Sequence, residues 1–279
     1  MPLRADLHIH SAYSDGKMNV TELVPLARER GLHVLGITDH DTVDHYGDAL
    51  ACGREHGLTM ICGTEFSTRL GERELHILGY GLDPAEPRLV RHIDGVRQRR
   101  KERAHEILSL LNERNVRIPH DELDRVPRLK TIGRVLIADL IYNYGYVRSP
   151  EEAFDVYLGN NGSAFVPYSP ADALEVIELI GELGGVSALA HPSRDEVEDS
   201  VDLLCEAGMD GIELWRPGVY RSTANAIRNK GRQHDLVFTG GSDWHYEGGR
   251  FNLGEFHIST ARLARFFDLL GVKPERSAD

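Results

Sequence analysis

The chain has 279 residues, of which 41% are hydrophobic and 27% are charged, as in an ordinary soluble globular protein. Its formal net charge of −12 argues against non-specific binding of long nucleic acid. No apolar run approaches the roughly 20 residues that a membrane span needs, and the opening MPLRADLHIH does not resemble a secretory signal. The three cysteines lack CxxC spacing, so we expect no disulfide framework and a cytoplasmic protein that contacts no membrane.

The first 84 residues alternate short apolar runs with amphipathic segments, which predicts strands and helices in turn. The first helix is predicted to begin with a capping box, in which Asn19 is the N-cap and Glu22 lies three residues on. Gly31 stands where a helix commonly ends. We predict helices over residues 20–30 and 47–55, and strands over residues 3–9, 33–38, 59–62 and 74–80.

The character of the chain changes near Pro84. Residues 85–135 contain 13 basic and 8 acidic residues, a net charge of +5 in a chain whose total is −12. Helical patterns cover residues 88–115 and 131–144. We therefore predict a helical insertion over residues 85–165.

Strands and helices alternate again after the insertion. Ser169 and Pro170 are typical of a helix start, and Gly184 and Gly185 of a helix end. Six to eight strands in this order favour an α/β fold with a parallel sheet, closed into a barrel, built from residues 1–84 and 166–279. We predict strands over residues 186–190, 211–215, 236–240 and 254–259, and helices over residues 170–184, 201–207 and 222–234.

Histidines and carboxylates lie at or just after the ends of several predicted strands. On a strand, His8 and His10 point to the same face, so both imidazoles can reach one ion. Each such position alone is also typical of a turn or of a buried polar residue, but together they fall on the carboxyl-end face of the barrel. Nitrogen and oxygen donors without thiolate favour Mn, Fe, Co or Zn, and nine ligands suit two or three ions. The nine are His8, His10, Asp15, His40, Glu65, His76, His191, Asp243 and His245.

These residues carry a resemblance to the PHP family, the polymerase and histidinol phosphatase domain. Its motifs stand here as DLHIHSAYSDG (6–16), ITDHD (37–41), Glu65, ELHILGY with His76, LAHP (189–192) and GSDWH (241–245). The resemblance spans nearly the whole chain. It implies a distorted (β/α)₇ barrel with a trinuclear metal site, and a metal-dependent phosphoesterase.

The resemblance also implies which residues hold each ion and how the reaction runs. It implies attack by a hydroxide that bridges two of two to three Mn, Fe or Zn ions, with Asp6 and Asp39 orienting ligand histidines from behind. His45 and Asp41 are candidates for the acid that protonates the leaving alcohol. The implied ligand sets are His8, His10, Glu65 and Asp243 for one ion, Asp15, His40 and His245 for the second, and His76, His191 and a bridging Glu65 for the third.

The insertion resembles that of one PHP subgroup, which includes nucleotide bisphosphate phosphatases, 5′-to-3′ exoribonucleases and ribosyl cyclic phosphate dihydrolases. Its arginine-containing stretch stands here as GRVLIA (133–138), with Leu136 where the nucleotide enzymes tend to have histidine. Tyr168 likewise replaces an expected basic residue. Lys130 and Arg134 lie one helical turn apart, and Arg216 and Arg221 could add a further anion contact. The predicted substrate-binding residues are Asp15, His40, Lys130, Arg134 and Arg216. Because two of them lie in the insertion, we expect residues 85–165 to form a cap over the substrate.

We therefore expect a hydrolase of small phosphorylated ribose compounds. The leading hypothesis is a ribosyl 1,2-cyclic phosphodiester, followed by the resulting monoester. The alternative is a 3′,5′-nucleotide bisphosphate phosphatase or a 5′-3′ exoribonuclease on short RNA. A hypothesis of another class is a non-catalytic PHP module that metal merely stabilises, which the complete set of nine ligands disfavours. The sequence leaves the oligomeric state open.

Overall fold

The structure is a computed structural model, and it describes residues 3–126, 132–168, 170–249 and 251–274. The chain divides into two compact units, one formed by Met1–Val90 with Pro170–Asp279 and the other by Arg91–Ser169. The sequence bounds of the second unit are close to those predicted for the insertion, 85–165. The role of the insertion as a substrate cap stays a prediction. Within the described ranges, no helix combines the length and the apolar character that crossing a membrane requires.

The described residues form strands and helices in alternation over most of the chain. The strands are β1 (Arg4–Ile9), β2 (Val34–Ile37), β3 (Thr59–Leu70), β4 (Arg73–Tyr80), β5 (Ala171–Asp172), β6 (Val186–Leu189), β7 (Gly211–Trp215), β8 (Val237–Gly240) and β9 (Ile258–Ser259). The helices are α1 (Val20–Glu29), α2 (Tyr46–His56), α3 (Pro87–Glu113), α4 (Arg134–Asn143), α5 (Pro150–Ala153), α6 (Ala173–Glu182), α7 (Arg194–Glu206), α8 (Arg221–Gln233) and α9 (Ala264–Leu270).

The strands of the first unit form a barrel-shaped sheet that is nearly closed. The strand order is β8-β7-β6-β4-β3-β2-β1-β9, and β5 pairs with β3. The chain beyond β8 returns to β1, where His10 N donates to Trp244 O (2.9 Å) and Asp243 N donates to His8 O (2.8 Å). The predicted barrel is confirmed. The predicted parallel sheet is wrong in part, because β4 runs antiparallel to both β3 and β6.

The antiparallel section arises from a tight hairpin that sequence analysis missed. Strand β3 continues to Leu70, which pairs with Arg73 of β4 across a two-residue turn. Gly71 in this turn has φ +60, a conformation that glycine adopts without strain. Glu65 was predicted to follow the end of its strand, and it lies inside β3 instead. Glu65 nevertheless lies just beyond the part of β3 that pairs with β2, because that parallel pairing stops at Cys62.

Two helix starts differ from the prediction. Asn19 is the N-cap of α1, but its side chain makes no capping hydrogen bond, so the predicted capping box is wrong. Helix α6 begins at Ala173, since β5 occupies the two residues before it and the Asp172 side chain accepts from Leu174 N (2.8 Å). The start predicted at Ser169 and Pro170 is therefore wrong, and Ser169 itself lies outside the described residues.

Further differences lie at element ends. Helix α7 begins at Arg194 rather than near 201, behind a capping box of Ser193 and Glu196. The predicted strand over 254–259 is reduced to β9, and α9 was not predicted. The helix predicted over 131–144 runs in the structure from Arg134, and residue 131 lies outside the described residues.

The second unit has a hydrophobic core of its own, in which α3 and α4 bury apolar side chains at helical spacing. The buried side chains include Ile107 and Leu111 of α3, Ile137 and Ile141 of α4, and Ile118 and Leu158 from outside these two helices.

Strand β1 carries buried polar residues between its buried apolar residues. Ala5, Leu7 and Ile9 are fully buried apolar residues, as expected for alternate positions of a core strand. The intervening Asp6 and His8 are also fully buried although they are polar. Buried polar groups require partners, and these lie at the carboxyl ends of the neighbouring strands.

Candidate metal centre

Glu65 lies at the centre of a group of five histidines. Its Oε2 is 3.2 Å from His8 Nε2, 3.1 Å from His10 Nε2 and 3.3 Å from His40 Nδ1. Its Oε1 is 2.8 Å from both His76 Nδ1 and His191 Nε2. The side chain is almost fully buried, so a single carboxylate joins donors from β1, β4 and the segments after β2 and β6.

Two further carboxylates extend the cluster. Asp243 Oδ1 lies 3.5 Å from His8 Nε2 and 3.2 Å from His10 Nε2. Asp15 lies 3.6 Å from His10 Nδ1, 3.8 Å from His40 Nε2 and 3.4 Å from His245 Nε2. All nine ligands predicted from sequence therefore lie in one continuous cluster.

Three overlapping sets of donor atoms within this cluster are compact enough to hold a cation. In each set the ligand atoms lie within 4.8 Å of one another. Any two sets share one residue, which is His10, His40 or Glu65, so the sets are adjacent. The sets are His10, Asp15, His40 and His245; His8, His10, Glu65 and Asp243; and His40, Glu65 and His76.

The backbone after β6 and β8 is held in an unusual conformation where it presents ligands. His191 has φ +30 and Asp243 has φ +54, both in the left-handed region that non-glycine residues adopt at a cost of about 1–3 kcal/mol. Gly241 allows the chain after β8 to approach β1, because a Cβ there would lie 2.3 Å from His8 N. The glycine of GSDWH is thus required by the close contact that brings Asp243 to the cluster.

The charges around the cluster lower the pKa values of its three carboxylates and raise the pKa values of His8, His10 and His76. Burial alone would raise the pKa of Glu65, but His40 and His76 hold it well below its usual range. Burial lowers the pKa of His40 to about 4, which keeps that ring neutral at pH 7. Burial also acts to lower the pKa of His10, but Asp243 and Glu65 raise it to about 10. His10 must therefore release a proton when a cation binds.

The donor set fits a first-row transition cation. His8 Nε2 and His10 Nε2 are buried and have no hydrogen-bond partner in the structure, although carboxylate oxygens lie 3.1–3.5 Å away. Two buried imidazole nitrogens left in this state are costly unless a cation accepts their lone pairs. The sets contain nitrogen and oxygen donors and no cysteine, as expected for Mn, Fe, Co or Zn.

Known proteins resemble this chain over most of its length. A model of the PHP domain matches residues 6–119. A 5′-3′ exoribonuclease of Haemophilus influenzae is 31% identical over 261 residues, which are 91% of this chain and 94% of that protein. A 3′,5′-nucleoside bisphosphate phosphatase of Chromobacterium violaceum is 30% identical, over 88% of this chain and 89% of that protein. The chain belongs to the PHP family.

Two further relatives agree with this family. A phosphoribosyl 1,2-cyclic phosphate 1,2-diphosphodiesterase of Eggerthella lenta is 28% identical, over 88% of this chain and 95% of that protein. A crystal structure of a provisionally assigned metal-dependent phosphoesterase from Bifidobacterium adolescentis superposes with a TM-score of 0.86 at 27% identity, covering 96% and 98% of the two chains. The protein is a metal-dependent PHP phosphoesterase, and the hypothesis of a non-catalytic module has no support.

The residues predicted to orient ligands act on the backbone of this PHP site more than on its imidazoles. Asp6 Oδ1 accepts from His8 N (3.3 Å) and Ser242 N (2.9 Å). Asp39 accepts from Ser11 N (2.8 Å), Ser11 Oγ (2.6 Å) and Ser14 Oγ (2.5 Å), which fixes the loop that carries Asp15. Neither carboxylate makes a hydrogen bond to a ligand imidazole in the structure.

Both candidates for the general acid are buried. His45 has no exposed surface, its Nε2 lies 3.0 Å from Ile37 O, and its Nδ1 lies 3.2 Å from Asp39 Oδ2. Asp41 is 1% exposed and its Oδ1 accepts from Ser67 N (2.9 Å). The role of either residue as the general acid stays a prediction.

Arg134, Lys130 and Leu136 are the residues of the insertion that were singled out for substrate binding. Arg134 begins α4, and its Nη1 lies 3.4 Å from Leu158 O and 3.5 Å from Asn160 Oδ1. Lys130 lies outside the described residues. Leu136 is half-buried on α4. Their contact with substrate stays a prediction.

Arg216 and a residue missed by sequence analysis, Glu213, both belong to the barrel. Arg216 follows β7 and its Nη2 donates to Pro192 O (2.8 Å), next to the ligand His191. Glu213 lies within β7, fully buried, with its carboxylate 3.1 Å from His8 Nδ1. The signal available for Glu213 is a single glutamate in the apolar run GIELW, which lies in the strand predicted over residues 211–215.

Removal of metal should abolish activity and lower stability. We expect elemental analysis of the purified protein to find two to three transition ions per chain. Dialysis against a strong chelator should reduce phosphoester hydrolysis by more than about 100-fold and lower the thermal unfolding midpoint, because cations that bind only the folded site stabilise it. Re-addition of Mn²⁺ or Zn²⁺ should restore both. Full activity of a metal-free sample would contradict this prediction.

Proposed function

We propose that this PHP phosphoesterase hydrolyses phosphate esters of small phosphorylated ribose compounds. The leading substrate is a ribosyl 1,2-cyclic phosphodiester, and the second is the monoester that its hydrolysis yields. The observation that carries the proposal is the sharing of His10, His40 and Glu65 between adjacent donor sets. Shared donors would hold two to three Mn, Fe or Zn ions side by side, an arrangement suited to binding one phosphate between cations.

The bound cations would lower the pKa of a bound water and neutralise charge on the phosphate. The chain supplies the floor and the opening of the site. His8, His10 and Glu65 are at most 1% exposed and form the floor. The side chains of His76 (31% exposed) and His191 (32% exposed) face outward. A phosphate therefore approaches from the side of the exposed donors, while the buried donors keep their geometry.

The cyclic diester is favoured by one departure from the nucleotide-enzyme pattern. Leu136 stands in the subgroup's arginine stretch where those enzymes tend to have histidine. An isobutyl side chain cannot donate a hydrogen bond to phosphate, so it supports a smaller substrate without a nucleobase. The relative from Eggerthella lenta is named for a ribosyl cyclic phosphate. In agreement with the three free cysteines, we propose that the enzyme works in the cytosol.

A second candidate is hydrolysis of a 3′,5′-nucleotide bisphosphate or of short RNA from its 5′ end. It is favoured by the relatives named for these activities, which are 30% and 31% identical to this chain against 28% for the cyclic diesterase. Both candidates place a small phosphorylated substrate on the same metal centre. Neither calls for binding of long nucleic acid, in agreement with a net charge of −12.

A substrate panel separates the two candidates. Metal-loaded enzyme is given a ribosyl 1,2-cyclic phosphate, a 3′,5′-nucleotide bisphosphate, a 5′-phosphorylated RNA tetramer and an aryl phosphate, and kcat/KM is measured for each. We expect the cyclic phosphate to exceed the other ribose compounds by at least about tenfold, roughly 1.4 kcal/mol of preference. A higher value for the bisphosphate or RNA would replace the leading candidate by the second.

A further inference from the structure

Glu213 is a buried carboxylate that none of the three donor sets includes. It lies in the middle of β7 and has no exposed surface. Its neighbours Ile212 and Leu214 are apolar and buried. A buried carboxylate in such a strand is costly unless its oxygens are fully paired, so its contacts indicate why it stands there.

Both oxygens of Glu213 contact residues of the metal centre. Oε1 lies 3.1 Å from His8 Nδ1, and Oε2 accepts from His191 N at 2.7 Å. His8 belongs to β1 and His191 follows β6, so one side chain joins two ligands from separate strands. His8 lies in the donor set with Asp243, while His191 Nε2 lies 2.8 Å from the other oxygen of Glu65.

The contact with His8 fixes which ring nitrogen is free. A carboxylate can only accept, so Nδ1 of His8 must carry a hydrogen, and Nε2 is the ring nitrogen that can offer a lone pair to a cation. Nε2 is the atom that lies 3.2 Å from Glu65 Oε2 and 3.5 Å from Asp243 Oδ1. Glu213 therefore aims the lone pair of His8 at the point where the carboxylates converge.

The contact with His191 holds a strained backbone. His191 has φ +30, and its N–H is bonded by Glu213 Oε2. This bond fixes the turn after β6 in the conformation that brings the imidazole to Glu65. Without it, the peptide can relax to a more favourable φ and move the ring.

We propose that Glu213 is a positioning residue that presents His8 to its donor set and holds the His191 imidazole against Glu65. The inference rests on the proposed metal centre, and it adds to that proposal a specific source of its metal affinity. A sheet residue that touches no ion thus controls how tightly ions are held.

The isosteric Glu213→Gln substitution tests the proposal. Glutamine offers one acceptor oxygen, which can serve His191 N, and its NH₂ group then faces His8 Nδ1. That contact favours the tautomer with hydrogen on Nε2, which removes the lone pair from the metal side. We expect titration with Mn²⁺ alone to show about 10- to 100-fold weaker binding than the wild type, the range typical of such supporting groups. Circular dichroism should show a folded chain.

A spectroscopic measurement reports the tautomer directly. In Zn²⁺-loaded protein with ¹⁵N-labelled histidine, the wild type should show an Nδ1–H signal from His8, assigned with His8→Gln. Glu213→Gln should lose that signal.

Glu213→Asp is a second variant, which tests the proposal even if the glutamine variant does not fold. It keeps a carboxylate, but its side chain is one methylene too short to reach both partners. We therefore expect its Mn²⁺ affinity to lie between those of the wild type and Glu213→Gln.

The matched control is Asp210→Asn, just before the same strand. Asp210 Oδ2 accepts from Ser187 N (2.9 Å) and Ser187 Oγ (3.0 Å), so it holds β6 but contacts no ligand. Its Mn²⁺ affinity should stay within about twofold of the wild type. Unchanged affinity in both Glu213 variants, or an equal loss in Asp210→Asn, would overturn the proposal. Absence of Mn²⁺ binding by the wild type would instead overturn the metal centre itself.

Discussion

Glu65→Gln should be far more damaging than His76→Asn. Glu65 is approached within 3.3 Å by five histidine nitrogens and belongs to two of the three donor sets, whereas His76 belongs to one. Loss of this charge leaves the surrounding imidazoles without their shared carboxylate at two adjacent ion positions. Breaking such a buried ionic group costs about 3–5 kcal/mol, which corresponds to about 10²- to 10⁴-fold in kcat/KM.

His76→Asn should reduce kcat/KM by only about tenfold, because the set of His8, His10, Glu65 and Asp243 and the set around Asp15 remain complete. The measurement is kcat with metal stoichiometry for both variants, at saturating and limiting Mn²⁺. Glu74→Gln is the control, since Glu74 is exposed on the same strand as His76. If the Glu65 variant kept its metals and turnover while the His76 variant was inactive, Glu65 would not join two ion positions.

The part of the site that sequence predicted best is the part encoded by local periodicity. The alternation in β1 places His8 and His10 on one face, and in the structure both Nε2 atoms lie within 3.2 Å of Glu65 Oε2. Several apolar strands end in ionisable residues, and this pattern predicted that the ligands lie together at the carboxyl ends of the strands. The nine ligands do lie in one cluster there, because every one of them is anchored to a strand or to the segment directly after it.

The geometry that sequence missed depends on pairing between distant segments. The hairpin of β3 and β4 reverses the chain at Gly71, and this reversal sets Glu65 inside a strand with His76 on the adjacent one. A local pattern shows an apolar strand, but it carries no signal for the direction of its neighbour. Glu213 was missed for the same reason, since its partners His8 and His191 are 205 and 22 residues away.

The surroundings of a predicted residue are also hard to infer from sequence where it joins a buried polar network. His45 follows ITDHD and was a candidate acid, but its ring is buried against Asp39 and the carbonyl of Ile37. Whether a histidine near a strand end faces the solvent or the core depends on how the following helix packs. That packing is a tertiary property, which the identity and spacing of nearby residues do not determine.

Arg216 is a cation of the barrel whose side chain bonds to a backbone carbonyl. It follows β7, is half-buried, and donates from Nη2 to Pro192 O (2.8 Å). Its Nε is buried with no hydrogen-bond partner, and no carboxylate of the described residues lies within 4.0 Å of the guanidinium. A partly desolvated charge in this state is a ready contact for an anion, and the planar guanidinium can hold a phosphate with two parallel hydrogen bonds.

We therefore expect Arg216 to hold the second phosphate of a doubly phosphorylated ribose substrate and to use that binding to place the reacting ester. Loss of a charge-assisted contact costs about 2–3 kcal/mol, so Arg216→Ala should lower kcat/KM about 30- to 150-fold for such a substrate. Hydrolysis of an aryl phosphate, which has no second phosphate, should change by less than about threefold. Arg216→Lys should give an intermediate loss, and Arg232→Ala, at an exposed position on α8, should change neither rate. Equal losses on both substrates would show instead that Arg216 acts through Pro192 on the backbone that carries His191, and the phosphate contact would then be rejected.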